Sequence, residues 1–142
     1  HPLDQVNKLI RENGLGEGML HKILVQVHPM EMSGMDIVVA CNRHGALGRM
    51  SFEAMSVGTP VVATAGHSGK SRVAVDGETA VLAKAGDPQS IAAGIIRIIK
   101  DEQLRQNLIT NGKANVSKFF NPEKNARLVE KVYKELIEKV NL

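Results

Sequence analysis

The sequence has no tryptophan, one tyrosine and three phenylalanines among 142 residues. With so few aromatics, and no basic run for them to interleave with, a dedicated nucleic-acid surface is not expected. Charge is close to balance, with 18 Lys and Arg against 15 Asp and Glu, a formal +3 without a cluster. The single cysteine, Cys41, excludes a disulfide framework within the chain and any multi-cysteine zinc site. No metal is expected. The apolar runs fall far short of a membrane span. The opening residues His1-Pro2-Leu3-Asp4 do not read as a signal peptide, and one free thiol fits a reducing compartment. The expected location is the cytoplasm, at most peripheral to the inner face of a membrane. The chain opens at His1 rather than Met, which raises the expectation of a piece of something longer.

What is present is a hydrophobic fraction of 43%, enough for the core of one domain. No repeat and no linker divides the chain. Residues 3–13 read as a short amphipathic helix stopped by Asn13-Gly14. His21 to Val27 reads as a buried strand, and Pro29 to Gly34 as a short helical turn. Asp36 to Cys41 is a continuous apolar run, as in a parallel strand covered on both faces. A helix from Gly48 to Val57 follows, ended by Gly58. Pro60 to Thr64 and Thr79 to Ala83 are further strands, and Arg72 to Val75 could be a helical turn or a strand. Three helices close the chain. Asp87-Pro88 opens an isoleucine-rich one, Glu102 to Phe119 is the second, and Asn121-Pro122 opens the third. In the last, Leu128, Val129, Val132, Tyr133, Leu136, Ile137 and Val140 fall at helical spacing. Strands alternating with helices predict an α/β fold with a parallel sheet, whose ligands bind beyond the carboxyl ends of the strands.

Two loops fall at those ends. In the first, Gly45-Ala46-Leu47-Gly48-Arg49-Met50-Ser51, glycines precede a helix start. Free N–H groups and the positive end of the helix dipole suit a phosphate there, although a plain strand-to-helix turn would read the same. Glu53, five residues on, could accept hydrogen bonds from the vicinal hydroxyls of a ribose, or be a solvated helix residue. The second loop, Thr64-Ala65-Gly66-His67-Ser68-Gly69-Lys70-Ser71, approaches the phosphate-cradling pattern of nucleotide triphosphatases but has Thr64 where the first glycine belongs. His44 and His67 could face each other across a cleft, or be solvated loop histidines. Cys41 and the methionines at 30, 32 and 35 are expected to pack rather than react or bind metal. Asn115-Val116-Ser117 fits a glycosylation acceptor but falls inside a helix.

The run Phe52-Glu53-Ala54-Met55-Ser56-Val57-Gly58-Thr59-Pro60-Val61-Val62-Ala63-Thr64 resembles the signature of the retaining group 1 glycosyltransferases, enzymes built from two Rossmann-like domains. Met35-Asp36-Ile37-Val38-Val39, Val75-Asp76-Gly77-Glu78-Thr79 and Gly86-Asp87-Pro88 are similar to other motifs of that family in the same order, and the likeness extends over about residues 3–138. It implies a Rossmann-like parallel sheet with flanking helices, in an incomplete domain that lacks its first strands. It implies the nucleotide-sugar-binding C-terminal half of the enzyme, which takes a UDP-, GDP- or ADP-sugar as substrate and uses no cofactor. Glu53 matches the residue that holds the donor ribose. By the same resemblance, Gly48, Arg49 and Met50 would supply backbone N–H groups near the diphosphate, Asn42 would be a further donor-binding residue, and His67 and Lys70 would be donor-loop contacts.

The chain also departs from the family pattern. A glutamate usually stands eight positions before the second one, near the donor sugar; here that position is Gly45. In the later loop Ser68, Gly69 and Arg72 replace a glycine pair and a glutamate. The resemblance further implies that the acceptor-binding N-terminal domain and the first strands are missing. A bared sheet edge would then be protected by a homodimer or by the missing part. Two alternatives stay open: a non-catalytic nucleotide-binding or interaction module derived from the same fold, and a phosphohydrolase using Lys70.

Overall fold

The computed structural model describes residues 2–14, 29–42, 47–65 and 71–140. Its elements run in the order α1 (Pro2–Glu12), α2 (Pro29–Met32), β1 (Val38–Ala40), α3 (Arg49–Val57), β2 (Val61–Ala65), β3 (Val81–Lys84), α4 (Pro88–Lys100), α5 (Glu102–Phe119) and α6 (Pro122–Val140). The three strands form a parallel sheet in the order β1-β2-β3. Val38 lies opposite Val61 and Val62 opposite Val81, so side chains across the sheet share faces. This is the expected α/β architecture. The strand expected at 21–27 lies outside the described residues. Among the described residues, β1 pairs with β2 alone.

The central strand explains the layering. Val61, Val62 and Ala63 are each at most 1% exposed, so both faces of β2 must be covered. Successive residues of a strand point to opposite faces. Val62 accordingly joins Val81, Ala83, Ile91, Ile95 and Ile98 in a cluster built on α4 and α1. Val61 and Ala63 join Val38, Ala54, Met55 and Val116 in a second cluster built on α3 and α5. Met32 packs into that second cluster, as expected of it, whereas Met30 is exposed. Helix α4 lies close on the sheet because Gly94 brings only a hydrogen there; a Cβ would meet Val81 Cγ1 at 3.0 Å and Val62 Cγ1 at 3.1 Å.

Helix boundaries follow their caps. Asp87 accepts hydrogen bonds from the N–H groups of Gln89 and Ser90, Asp101 from Leu104, and Asn121 from Lys124. Helix α3 ends at Gly58, whose φ of 86° is the left-handed conformation that glycine adopts without a Cβ penalty. Helix α6 differs from the others, since none of its residues is buried.

Residues 72–75 are neither helix nor strand. Apart from the Val75 carbonyl, which accepts from the N–H groups of Glu78, Thr79 and Ala80, their backbone bonds go to side chains. Ser71 Oγ accepts from the N–H groups of Val73 and Ala74. Asn115 Nδ2, on α5, donates to the carbonyls of Arg72 and Val73. Buried Thr79 accepts from the Val75 N–H at 2.8 Å and donates to the Val73 carbonyl at 2.8 Å. Such a segment has no period to read, because tertiary partners satisfy it. Thr79→Val keeps the shape and removes both bonds. It is expected to lower stability by about 1–3 kcal/mol, the cost of stranding buried polar groups. Urea denaturation checks this, and a loss below about 0.5 kcal/mol, the range of inert surface changes, would contradict the hub role.

Candidate functional site

A parallel strand delivers its following loop and the start of the next helix to its carboxyl end. Here β1 leads through Cys41 and Asn42 towards α3. One buried side chain fixes this corner. Thr64, 2% exposed near the end of β2, accepts from the Asn42 N–H at 2.8 Å and donates to the Asn42 carbonyl at 2.9 Å. The hydroxyl thus uses its donor and an acceptor on one residue and locks the exits of β1 and β2 together. The sequence signal for it is a single polar residue closing an otherwise apolar strand.

Helix α3 starts without a capping side chain. Its N-cap is Gly48, with φ −76° and ψ 162°. The Ser51 N–H bonds back to the Gly48 carbonyl at 3.0 Å. Among the described residues no side-chain oxygen caps this start, and the positive end of the dipole there would favour an anion. A Cβ placed on Gly48 would meet nothing within 4 Å, so there is room beside these donors. Ser51, in the same first turn, is fully buried, and its Oγ has no hydrogen-bond partner among the described residues.

Glu53 lies one turn further on. Its carboxylate pairs with Arg49, Nε to Oε1 at 3.1 Å. The Glu53 side chain is 29% exposed and that of Arg49 76%, so the carboxylate is sheltered and the guanidinium is in solvent. Oε1 is engaged by Arg49. Both residues were legible in the sequence, but their pairing was not: the resemblance used only the backbone of Arg49.

Asn42, Gly48, Arg49, Met50 and Glu53 are therefore carried by the β1 exit and the first turns of α3. His44, Gly45, His67 and Lys70 lie outside the described residues. Cys41 is exposed rather than packed in the core, because the strand stops at Ala40. Partial burial of its thiol still pushes its pKa up, which keeps it protonated and weakly nucleophilic near neutrality. Asn115 is engaged with the 72–73 backbone on α5. Among the described residues, no three His, Cys, Asp or Glu side chains cluster to hold a metal ion, and no helix is long and apolar enough to cross a membrane. The apolar groove between α1 and α4, lined by Leu9, Ala92 and Ile96 with Arg97 as its one charged residue, lies on the other face of the sheet from α3.

Residues 3–115 match the family model of the group 1 glycosyl transferases. The chain belongs to the group 1 glycosyltransferases. An uncharacterised glycosyltransferase of Methanocaldococcus jannaschii is 35% identical over 99 residues, covering 70% of this chain and 28% of that protein. The D-inositol 3-phosphate glycosyltransferase of Corynebacterium jeikeium is 29% identical over 139 residues, covering 94% of this chain and 32% of its own length. Among solved structures, sucrose-phosphate synthase of Thermosynechococcus elongatus superimposes with a TM-score of 0.74 at 26% identity, over 96% of this chain and 34% of that one. HepE of Anabaena, solved with UDP-glucose, gives 0.69 at 26% identity, over 93% and 36%. The chain thus spans about a third or less of the length of these relatives.

The uncapped helix start gives a direct test. Asp fits the extended backbone of position 48 and would cap the first turn with its own carboxylate. Gly48→Asp is expected to leave the melting temperature unchanged or raise it slightly. It should also weaken nucleoside diphosphate binding at least tenfold, through repulsion and occupied donors, as read by calorimetry. Unchanged affinity would mean that the helix start does not meet the phosphates.

Proposed function

We propose that this chain is the donor-binding part of a retaining glycosyltransferase that moves a hexose from a nucleoside diphosphate sugar to an acceptor. The observation that carries the reading is the uncapped start of α3 at the exit of β1, with Glu53 one turn along. In this reading the N–H groups of Gly48, Arg49 and Met50 face the diphosphate. They stabilise the charge that grows on it as the glycosidic bond breaks. The sheltered Glu53 carboxylate accepts from the two ribose hydroxyls, and Arg49 holds its orientation. Asn42, fixed by Thr64, lines the approach. His67 and Lys70, which lie outside the described residues, are the donor-loop contacts that the family resemblance implies. HepE, solved with UDP-glucose, supports a uridine diphosphate sugar as the first donor to try, with GDP- and ADP-sugars after it. We further propose that the 142-residue chain by itself binds donor without transferring sugar.

A second reading is favoured by Gly45. Where the family carries a glutamate near the donor sugar, this chain has no side chain at all. A module that holds the nucleotide without chemistry would keep the α3 start and Glu53 and dispense with that carboxylate.

Both readings require Glu53 for nucleotide binding. Glu53→Gln removes the charge that strengthens its hydrogen bonds, each worth about 1.5–3 kcal/mol. The dissociation constant for UDP should rise roughly ten- to a hundredfold. The ion pair with Arg49 is too exposed for its loss to cost more than about 1 kcal/mol of stability. Calorimetric titration together with thermal unfolding separates the two effects. UDP binding that is equally tight in the variant would remove Glu53 from the site.

A further inference from the structure

Glu53 raises a problem of charge. On the donor-binding reading it takes the ribose of a nucleoside diphosphate, one turn from the helix start that takes the phosphates. A carboxylate so close to a diphosphate repels the ligand it has to hold, and the repulsion grows where water is excluded. The Glu53 side chain is sheltered, so solvent screens its charge only in part.

Arg49 brings the opposite charge. It stands at the first position of α3, where a basic residue works against the helix dipole. The other described helices follow the dipole. Helices α1, α2, α5 and α6 carry Asp4, Glu31, Glu102 and Glu123 in their first turns, and α4 has Asp87 as its N-cap. Among the described helices, α3 alone has no acidic residue at its start.

Positions 49 and 53 are four apart, so they share one face of the helix, one above the other. A donor that runs from phosphates at the helix start to ribose at Glu53 therefore passes the Arg49 side chain. The ion pair joins Nε to Glu53 Oε1 at 3.1 Å. A guanidinium carries more N–H donors than a single carboxylate takes, even in a bidentate pair. Among the described residues Arg49 has no second partner, and its side chain lies largely in solvent. The donors left over are open to a second anion, and the planar fork suits a phosphate.

We infer that the Arg49 guanidinium binds the donor's diphosphate as well as Glu53, an assignment that rests on the donor-binding reading of this site. It bridges the carboxylate that takes the ribose to the phosphates at the helix start. It also offsets the carboxylate's charge where the phosphates come near. Arg49 thereby favours a nucleoside diphosphate over the bare nucleoside.

The test compares UDP with uridine on the 142-residue chain, or GDP or ADP with its nucleoside where that diphosphate binds more tightly. Amide shifts of α3 in NMR titrations give the dissociation constants. Arg49→Met removes the charge and keeps an unbranched side chain of good helix propensity. Its dissociation constant for the diphosphate should rise roughly ten- to a hundredfold, the worth of a charge-assisted hydrogen bond. That for the nucleoside should change by less than about threefold, because the exposed ion pair itself contributes little. Arg49→Gln keeps an N–H donor for Glu53 without the charge, and should lose as much diphosphate affinity as Arg49→Met. Both variants should melt as the parent chain does, since the replaced side chain is exposed. Equal weakening of diphosphate and nucleoside, or diphosphate binding restored in Arg49→Gln, would overturn the inference and leave Arg49 as a support for Glu53 alone. Diphosphate affinity that neither variant changes would overturn it as well, while a loss in Glu53→Gln would show that the site itself stands. A parent chain that binds none of the three diphosphates would overturn the donor-binding reading and this inference together.

Discussion

The rest of the structure depends on burial of β2 from both sides. A strand whose Val61, Val62 and Ala63 are almost wholly withdrawn from water cannot lie at the surface of a one-layer sheet. Helices must cover each face, and a parallel neighbour on either side needs a crossover connection. Those demands put α3 on one face and α4 on the other. They also fix which end of α3 reaches the carboxyl edge of the sheet. The placement of the candidate site follows from hydrophobic burial before any ligand is considered.

At that edge the priorities change. The starts of α4, α5 and α6 are closed by Asp87, Asp101 and Asn121, each accepting from the first turn. Among the described residues, helix α3 begins at Gly48 with no such partner, and buried Ser51 has none for its hydroxyl in the same turn. A cap contributes about 1 kcal/mol and an unpaired buried hydroxyl costs a comparable amount. The fold gives up stability at the start of α3, next to the only described strand exit that a threonine clasps to its neighbour. Local rules fail at this point while they hold in the surrounding elements, which is the usual mark of a functional position.

The sequence exposed those elements through rules that act locally. Gly58 ends α3, the Asp87-Pro88 pair opens α4, and isoleucines spaced along α4 bury Ile91, Ile95 and Ile98. The continuous apolar runs around Val38 and Val61 named two of the strands. What stayed hidden depends on partners distant in the chain. Residues 72–75 have no period because Thr79 and Asn115 satisfy their backbone. Cys41 looked like the last core residue of its strand but falls just past its end. Periodicity also gave α6 an apolar face without saying what covers it. At the site, Glu53 and the N–H groups of α3 were legible because residue type and helix position suffice to find them. The Arg49–Glu53 pair and the Thr64 clasp needed coordinates, since each depends on where a side chain points.

The central claim is that this chain folds by itself into a nucleotide site at the start of α3. The most direct measurement is an amide nitrogen–proton NMR titration of the chain with UDP, followed by GDP and ADP. The account predicts dispersed peaks, with saturable shifts concentrated at Asn42 and Gly48–Glu53 and the largest response to one of the three bases. Dispersed peaks that none of the nucleotides moves would contradict it, as would shifts that leave α3 untouched.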